Sequence, residues 1–368
     1  MRLALTELRR RPGRFVAATA ILTLIAILLM FIGGLLDGLL DSSTGAYRAQ
    51  RGELIAYSES ASESLPRSQI PVNLRKAVES VSGVTKVGGL GTTQVAARPG
   101  DDPESRDLIS TILIGSEIPP LGLDEIPEKG TAFADSSVKA DGIKVGDTLL
   151  LGAPRVPIKI VGFVDDSRYA GQVSLWASLD TWNEAAQQIR PGTGDPEFVQ
   201  AMVIGSDRPD LASQIADIEK AADGHLEVLT IPDAIEALPG VSTQRSTINQ
   251  IIGVTVLIAL VVVALFFALI TIERTALYGV LKAIGASSMT LFAGVTAQAV
   301  AVTLIASTIA AALAIALAVA IPPGSLPFSL TAARVLFSVG LLLFAAVIGC
   351  AFSLRRVLRI DPATAIGA

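Results

Sequence analysis

The sequence is poor in the residues that most enzymes need. One cysteine, Cys350, lies inside an apolar run, so no disulfide can form within a chain, and a small packing residue facing helix or lipid is its simplest use. One histidine, His225, in a Gly-His turn before a strand-like stretch, excludes the HExxH motif and any multi-histidine metal site. There is no GxxxxGK[ST] phosphate loop, so ATP cannot be held by that route, and any ATPase must be a separate polypeptide. The acidic pairs Asp101-Asp102 and Asp165-Asp166 fall in turn-like sequence, where solvated loops are the ordinary outcome. No catalytic constellation and no intrinsic cofactor or metal site emerges, and a non-enzymatic role is expected.

Apolar residues are abundant instead: 51% of 368 residues, with a mean hydropathy of +0.57. That is too apolar for an ordinary soluble protein. Four runs are long enough to cross a bilayer: Phe15–Leu36, Ile248–Ile272, Met289–Ile321 and Val335–Leu354. Arg2, Arg9, Arg10, Arg11 and Arg14 precede the first, and Arg355, Arg356 and Arg359 follow the last, which places both termini in the cytoplasm by the positive-inside rule. Asp41–Thr247 then lies outside the cell membrane. It carries 30 acidic and 18 basic residues, whereas the whole chain is only −5, so the cytoplasmic face is basic. An acidic outer domain with a basic inner face argues against nucleic acid and for a lipid bilayer.

The expected organisation is a cytoplasmic amphipathic lead-in (1–14), a first transmembrane helix (15–40) and an extracytoplasmic α+β domain (41–247). A second span (248–272), a cytoplasmic segment (273–288), a third span (289–321), an outer loop (322–334), a fourth span (335–354) and a cytoplasmic tail (355–368) follow. In the outer domain, strands are expected at Glu53–Tyr57, Ile109–Ile114, Thr148–Leu151, Ile158–Val164, Gln200–Ile204 and Glu227–Ile231. Helices are expected at Val72–Val81, Leu179–Ile189 and Pro209–Ala222. Gly-Asp is read as the turn of a small β-rich lobe over Gly142–Asp166, and Tyr47–Ser64 and Gln244–Asn249 as stalks.

Small residues mark the expected helix contacts. Gly34 and Gly38 form a GxxxG pair at the end of span one, suited equally to close helix approach or to loosening that end. Ala306, Ala310, Ala314 and Ala318 repeat every four residues on span three, which at 1.5 Å per residue is roughly 50 Å long and must tilt or project. Asp37 is read as snorkelling to the interface, and Gln298 as bonding a neighbouring helix.

Glu273–Ser288 (ERTALYGVLKAIGASS) is the substantial polar break between spans two and three. Its helix formers run to Ile284, and Gly285-Ala286-Ser287-Ser288 then reads as a C-cap and a new start. By composition alone this is a short connecting loop. Glu273-Arg274, and Tyr278-Gly279-Val280-Leu281-Lys282-Ala283-Ile284-Gly285-Ala286, resemble the "E-x-G-x-L-K-A-x-G-A" signature of the FtsX/MacB-type ABC permease family, at the position where that family carries it. The tail, Ser353–Ala368, is similar to the family's "Arg…(Val/Ile)-Asp-Pro-x-x-Ala-(Ile/Leu)" ending, and Leu5-Thr6-Glu7-Leu8-Arg9 to its opening. The resemblance implies a MacB/FtsX-like (type VII ABC) architecture. It further implies a homodimer with two ABC ATPase subunits that hold the ATP and Mg, and a coupling helix using Glu273, Arg274, Leu277, Tyr278, Leu281, Lys282, Ala283, Ile284 and Gly285.

Within the family, Gly34–Leu39, Gly52–Ser60, Pro323–Thr331 and the Ala365-Ile366-Gly367 ending look most like the heme-exporter (HrtB-like) branch, with DevC-like permeases second. The implied cargo is heme, and by position alone Met30, Tyr47, Arg48 and Arg245 are its candidate contacts. At Phe266-Phe267-Ala268 the chain has alanine where that branch has tyrosine, so a ligand carried there is missing. Two other readings stay open: a mechanotransmission permease acting on lipoprotein, lipid or peptide cargo or controlling a cell-wall hydrolase, and a membrane sensor without transport.

Overall fold

A computed structural model describes residues 12–101, 108–273, 280–281, 284–285, 287–321 and 326–358. The chain divides into two compact units, one built from residues 1–38, 244–322 and 328–368, the other from 39–243 with 323–327.

Among the described residues, four helices are long and apolar enough to cross a membrane. They are α1 (Pro12–Arg48), α6 (Val241–Glu273), α7 (Ser288–Ala320) and α8 (Ala332–Leu358). In the helical unit, α7 presents Ala306, Ala310 and Ala314 inward, all buried, and the Thr23 hydroxyl of α1 reaches the Ala306 carbonyl at 3.4 Å. Without hydrocarbon-to-water transfer to drive association, such small-residue contacts and buried polar bonds hold the helices together. Gly349 of α8 serves the same end, since a Cβ there would stand 3.0 Å from the Leu260 carbonyl oxygen of α6. Its neighbour Cys350 is fully buried in the helix packing. Gln298 is buried as well, on α7.

Among the described residues, the other unit holds nine strands in one sheet, ordered β11-β1-β10-β3-β4-β8-β5-β7-β6, with β6 pairing back onto β3. In chain order these are β1 (Leu54–Ser58), β3 (Val84–Pro99), β4 (Ile109–Ser116), β5 (Thr131–Asp135), β6 (Thr148–Leu151), β7 (Val156–Val164), β8 (Val173–Ser178), β10 (Ala201–Ser206) and β11 (Leu226–Thr230). A separate two-stranded pair joins β2 (Ile70–Pro71) to β9 (Phe198–Val199). Helices α2 (Arg75–Glu79), α3 (Leu179–Ile189), α4 (Leu211–Ala221) and α5 (Ile231–Ala237) complete the unit.

The 16-residue β3 organises both lobes. Its first half pairs with β10; its second half pairs with β4 and then β6, so that β3-β4-β8-β5-β7-β6 closes on itself around an apolar interior. Closure removes free edges from that lobe. At the open end of the sheet, the outward Val228 N–H of β11 is capped by the Glu219 carboxylate at 3.1 Å, which blunts the edge.

Several expectations need correction. Tyr47–Ser64 is not a stalk: α1 continues to Arg48, and all five residues of β1 are buried between β11 and β10, because Leu-Ile-Ala-Tyr supplies apolar side chains to both faces of the sheet. Gln244–Asn249 lies within α6. The Gly146-Asp147 turn does precede β6, with Gly146 at φ +99°, and Gly152–Arg155 joins β6 to β7, with Gly152 at φ +67° and Arg155 at +60°. The fourth span begins at Ala332, inside the stretch expected to be loop. The lead-in, 1–11, and the tail beyond 358 lie outside the described residues.

Candidate functional site

The polar break between α6 and α7 is built as a helix stop followed by a helix start. The Ile284 N–H donates to the Val280 carbonyl at 3.0 Å, and Gly285 then turns the chain with φ +102°, a conformation open essentially to glycine. Ser287, in extended conformation, caps α7: its Oγ accepts from the Thr290 N–H at 3.1 Å, and the two hydroxyls bond at 2.8 Å. Leu281 packs against the interior of the helical unit, whereas Val280 and Ile284, one turn apart, are exposed, Ile284 to 79%. Of the expected coupling residues, Glu273 is exposed at the end of α6, and Arg274, Leu277, Tyr278, Lys282 and Ala283 lie outside the described residues.

The four candidate cargo contacts do not share a cluster. Met30 is wholly buried in the helical unit, among residues such as Leu29, Ala259 and Ala310. Tyr47 sits in the core of the β-rich unit, its hydroxyl 2.9 Å from that of Tyr57 and its ring stacked on Tyr169 at 5.8 Å. Burial pushes the Tyr57 hydroxyl well above the usual tyrosine range and raises that of Tyr169, so both stay protonated and serve as hydrogen-bonding groups. Arg48 is already engaged: it meets Asp166 at 2.6 Å, Asp41 at 3.3 Å and the Thr44 hydroxyl. Arg245 is half-buried near the start of α6.

Two features had no local signal in the sequence. A cleft of about 270 Å³ runs between α1 and α6, lined by Ala18, Ile21, Leu22, Val262, Phe266 and Leu269 among others, all of them apolar. Phe15 and Phe266 meet edge-to-face at 6.5 Å. Elsewhere in the helical unit, Asp37 of α1 does not snorkel alone; it accepts two hydrogen bonds from Arg334 of α8, from Nε at 2.8 Å and from Nη2. The GxxxG expectation resolves differently from a helix crossing: Gly34 makes room for the Phe328 ring, and its neighbour Gly33 for the Arg334 side chain.

Residues 249–362, which include α6 from its third turn, the polar break, α7 and α8, match the family described as FtsX-like permease C-terminal. The hemin transport system permease protein HrtB of Staphylococcus haemolyticus (strain JCSC1435) is 24% identical over 370 residues, covering 100% of this chain and 99% of that protein. An uncharacterized ABC transporter permease of Mycobacterium tuberculosis (strain ATCC 25618 / H37Rv) is 26% identical over 294 residues, 79% of this chain and 77% of its own length. Among solved structures, the periplasmic region of MacB from Actinobacillus actinomycetemcomitans overlays with a TM-score of 0.36 at 10% identity, covering 49% of this chain and 89% of that one. With four helices long and apolar enough to cross a bilayer, the chain is a membrane protein, and its residues 249–362 are similar to the C-terminal segment of FtsX-like permeases.

Proposed function

We propose that this permease is one half of an efflux complex, coupling ATP hydrolysis by a separate ATPase subunit to expulsion of a membrane-partitioned hydrophobic substrate, for which heme is the best candidate. The observation that carries the coupling is the break between α6 and α7. Exposed Val280 and Ile284 form the docking face, Gly285 and Ser287 fix its angle, and the two long helices on either side take up the push. In this reading both termini and the break are cytoplasmic, the β-rich unit is extracytoplasmic, and ATP and Mg stay on the partner. Two packed arrangements of the helices are then biased by nucleotide.

Heme is favoured because relatives aligned over the full chain are named hemin transport permeases. The apolar cleft between α1 and α6 suits a flat hydrophobic cargo arriving from lipid. Met30, Tyr47, Arg48 and Arg245 remain proposed contacts that require rearrangement of the packing and pairing just described. A homodimer fits the stripe Ile251, Val254, Ile258, Val261 and Leu265, exposed along one side of α6 at spacings of three and four.

The test is a hemin titration of the purified permease–ATPase complex, followed by Soret absorbance and ATPase rate. A saturable Soret shift with stimulated hydrolysis is expected. A flat titration with unresponsive hydrolysis removes heme and leaves lipid or peptide cargo.

A further inference from the structure

Arg334 and Asp37 are separated by 297 positions, yet they are joined in a two-pronged ion pair, both side chains at most 20% exposed. The pair does not stand alone. The extended residues 328–331 that lead into α8 lie on α1: the Ser329 N–H donates to the Gly34 carbonyl at 2.9 Å, and the Phe328 ring stacks on Phe31 at 5.5 Å. Two adjacent glycines form the seat, for a Cβ at Gly34 would stand 2.6 Å from the Phe328 ring and one at Gly33 2.6 Å from Arg334 Cδ. Thr331 then caps α8, accepting from the Arg334 N–H at 3.1 Å, which fixes the arginine's backbone directly opposite Asp37.

We propose that Phe328–Thr331 is a strap and the Asp37–Arg334 pair its latch, holding shut the lateral seam between α1 and α8 at the Asp37 end of α1. Irregular backbone beside a membrane helix is stable only while its polar groups are covered by protein. Here the strap is covered by one backbone hydrogen bond, one aromatic stack, one ion pair and the packing of Leu330 on the apolar interior of the helical unit. That is enough to close the seam and few enough contacts to release it as a unit. A partly wetted guanidinium–carboxylate pair is strong when bidentate and is lost together with its geometry, so breaking it frees the strap while the helices stay packed.

The experiment uses the full-length permease in lipid nanodiscs, with Cys350→Ala to remove the native thiol and Ser329→Cys as the probe, labelled with a polar maleimide. In the otherwise native background labelling is slow. Asp37→Asn and Arg334→Gln should each speed it about tenfold, and the double variant no more than either alone, because both remove the same contact. Should Asp37→Asn fail to fold, Arg334→Lys keeps the charge but not the two-pronged geometry, and should also speed labelling. Phe328→Ala, which leaves the ion pair intact, should act in the same direction. Labelling unchanged in the folded single variants, or effects that multiply in the double, would overturn the latch.

Discussion

Replacing Gly285 by alanine isolates the geometry of the break between α6 and α7. An added methyl meets nothing within 4 Å, so no side chain is displaced and the whole effect is backbone strain at φ +102°. For an L-residue that conformation costs about 1–2 kcal/mol, which shifts local populations by roughly 5- to 30-fold. The strain falls on the turn that orients exposed Ile284 and leads into the Ser287 cap, not on the packed helices. On the coupling role proposed for this break, affinity for the ATPase subunit, measured with the detergent-solubilised protein, should therefore weaken by roughly that factor, while the thermal melt moves little. Gly285→Asn should lose less, since asparagine enters positive φ more readily. Native affinity in Gly285→Ala would refute the argument. So would a fall in melting temperature that tracks the loss of binding, because the strain would then not be local.

Other substitutions test the β-rich unit and the helix packing. Gly115→Ala places a Cβ 2.3 Å from that of Trp182, so its thermal melt should show a loss of about 1–3 kcal/mol from overpacking. By contrast, Gly253→Ala within α6 meets nothing within 4 Å and should be neutral or stabilising. Glu227 is held above the usual carboxylate range, first by burial and then by the nearby Glu63 charge. Its ionised form is thus disfavoured in the folded state: the penalty is absent below the ordinary carboxylate range, where folded and unfolded chains are both protonated, and complete above the raised value. Glu227→Gln should accordingly raise the melting temperature at neutral pH and leave it unchanged below about pH 4. A gain of equal size at both pH values would show that charge is not the cause.

The elements most legible in the sequence are those with a single strong local cause. Leu179–Ile189 is found where expected, with Ser178 as its cap, and Thr148–Leu151 is a four-residue apolar strand with the expected bounds. The alanine face of α7 was legible for the same reason, since a four-residue repeat survives whatever packs on it. β3 was not legible. Its Gly88, Gly89 and Gly91 carry no strand signal of their own, but each is where another element presses on the strand: Ile118 on Gly88, Val199 on Gly89 and the Trp182 ring on Gly91. A glycine selected by a neighbour's bulk looks identical in sequence to one selected by a turn. β5 and β8 share that difficulty, being short and paired only with distant strands. In the candidate site, the helix stop and start of the break carried their own signals in Gly285 and Ser287. Asp37 stood out as a lone carboxylate, but nothing near it in sequence pointed to Arg334.

The end of α1 shows how far a candidate residue can be reinterpreted once its neighbours are known. Arg48 was singled out as a cation for a cargo carboxylate, yet within the β-rich unit it belongs to a clasp around the loop between β7 and β8. The backbone makes most of that clasp. The Ala46 N–H donates to the Arg168 carbonyl at 2.9 Å, and the N–H groups of Ala170 and Gly171 donate to the Ser43 and Ser42 carbonyls at 3.0 and 2.9 Å. Gly45 permits the approach, because a Cβ there would stand 2.7 Å from the Asp166 carbonyl oxygen and 2.9 Å from the Arg168 nitrogen, neither of which can swing aside. The Arg48–Asp166 pair at its rim is one-third and nearly two-thirds exposed, where an ion pair contributes about 0–1 kcal/mol. Gly45→Ala should therefore destabilise by about 1–3 kcal/mol, more than Arg48→Ala does, by thermal melt of the full chain. Arg48→Ala also separates the two roles proposed for this arginine. If it binds cargo, hemin affinity of the complex falls while the melt barely moves; if it only rims the clasp, hemin affinity is unchanged. A larger loss of stability from Arg48→Ala than from Gly45→Ala would mean that charge, not backbone fit, holds the loop to the helix.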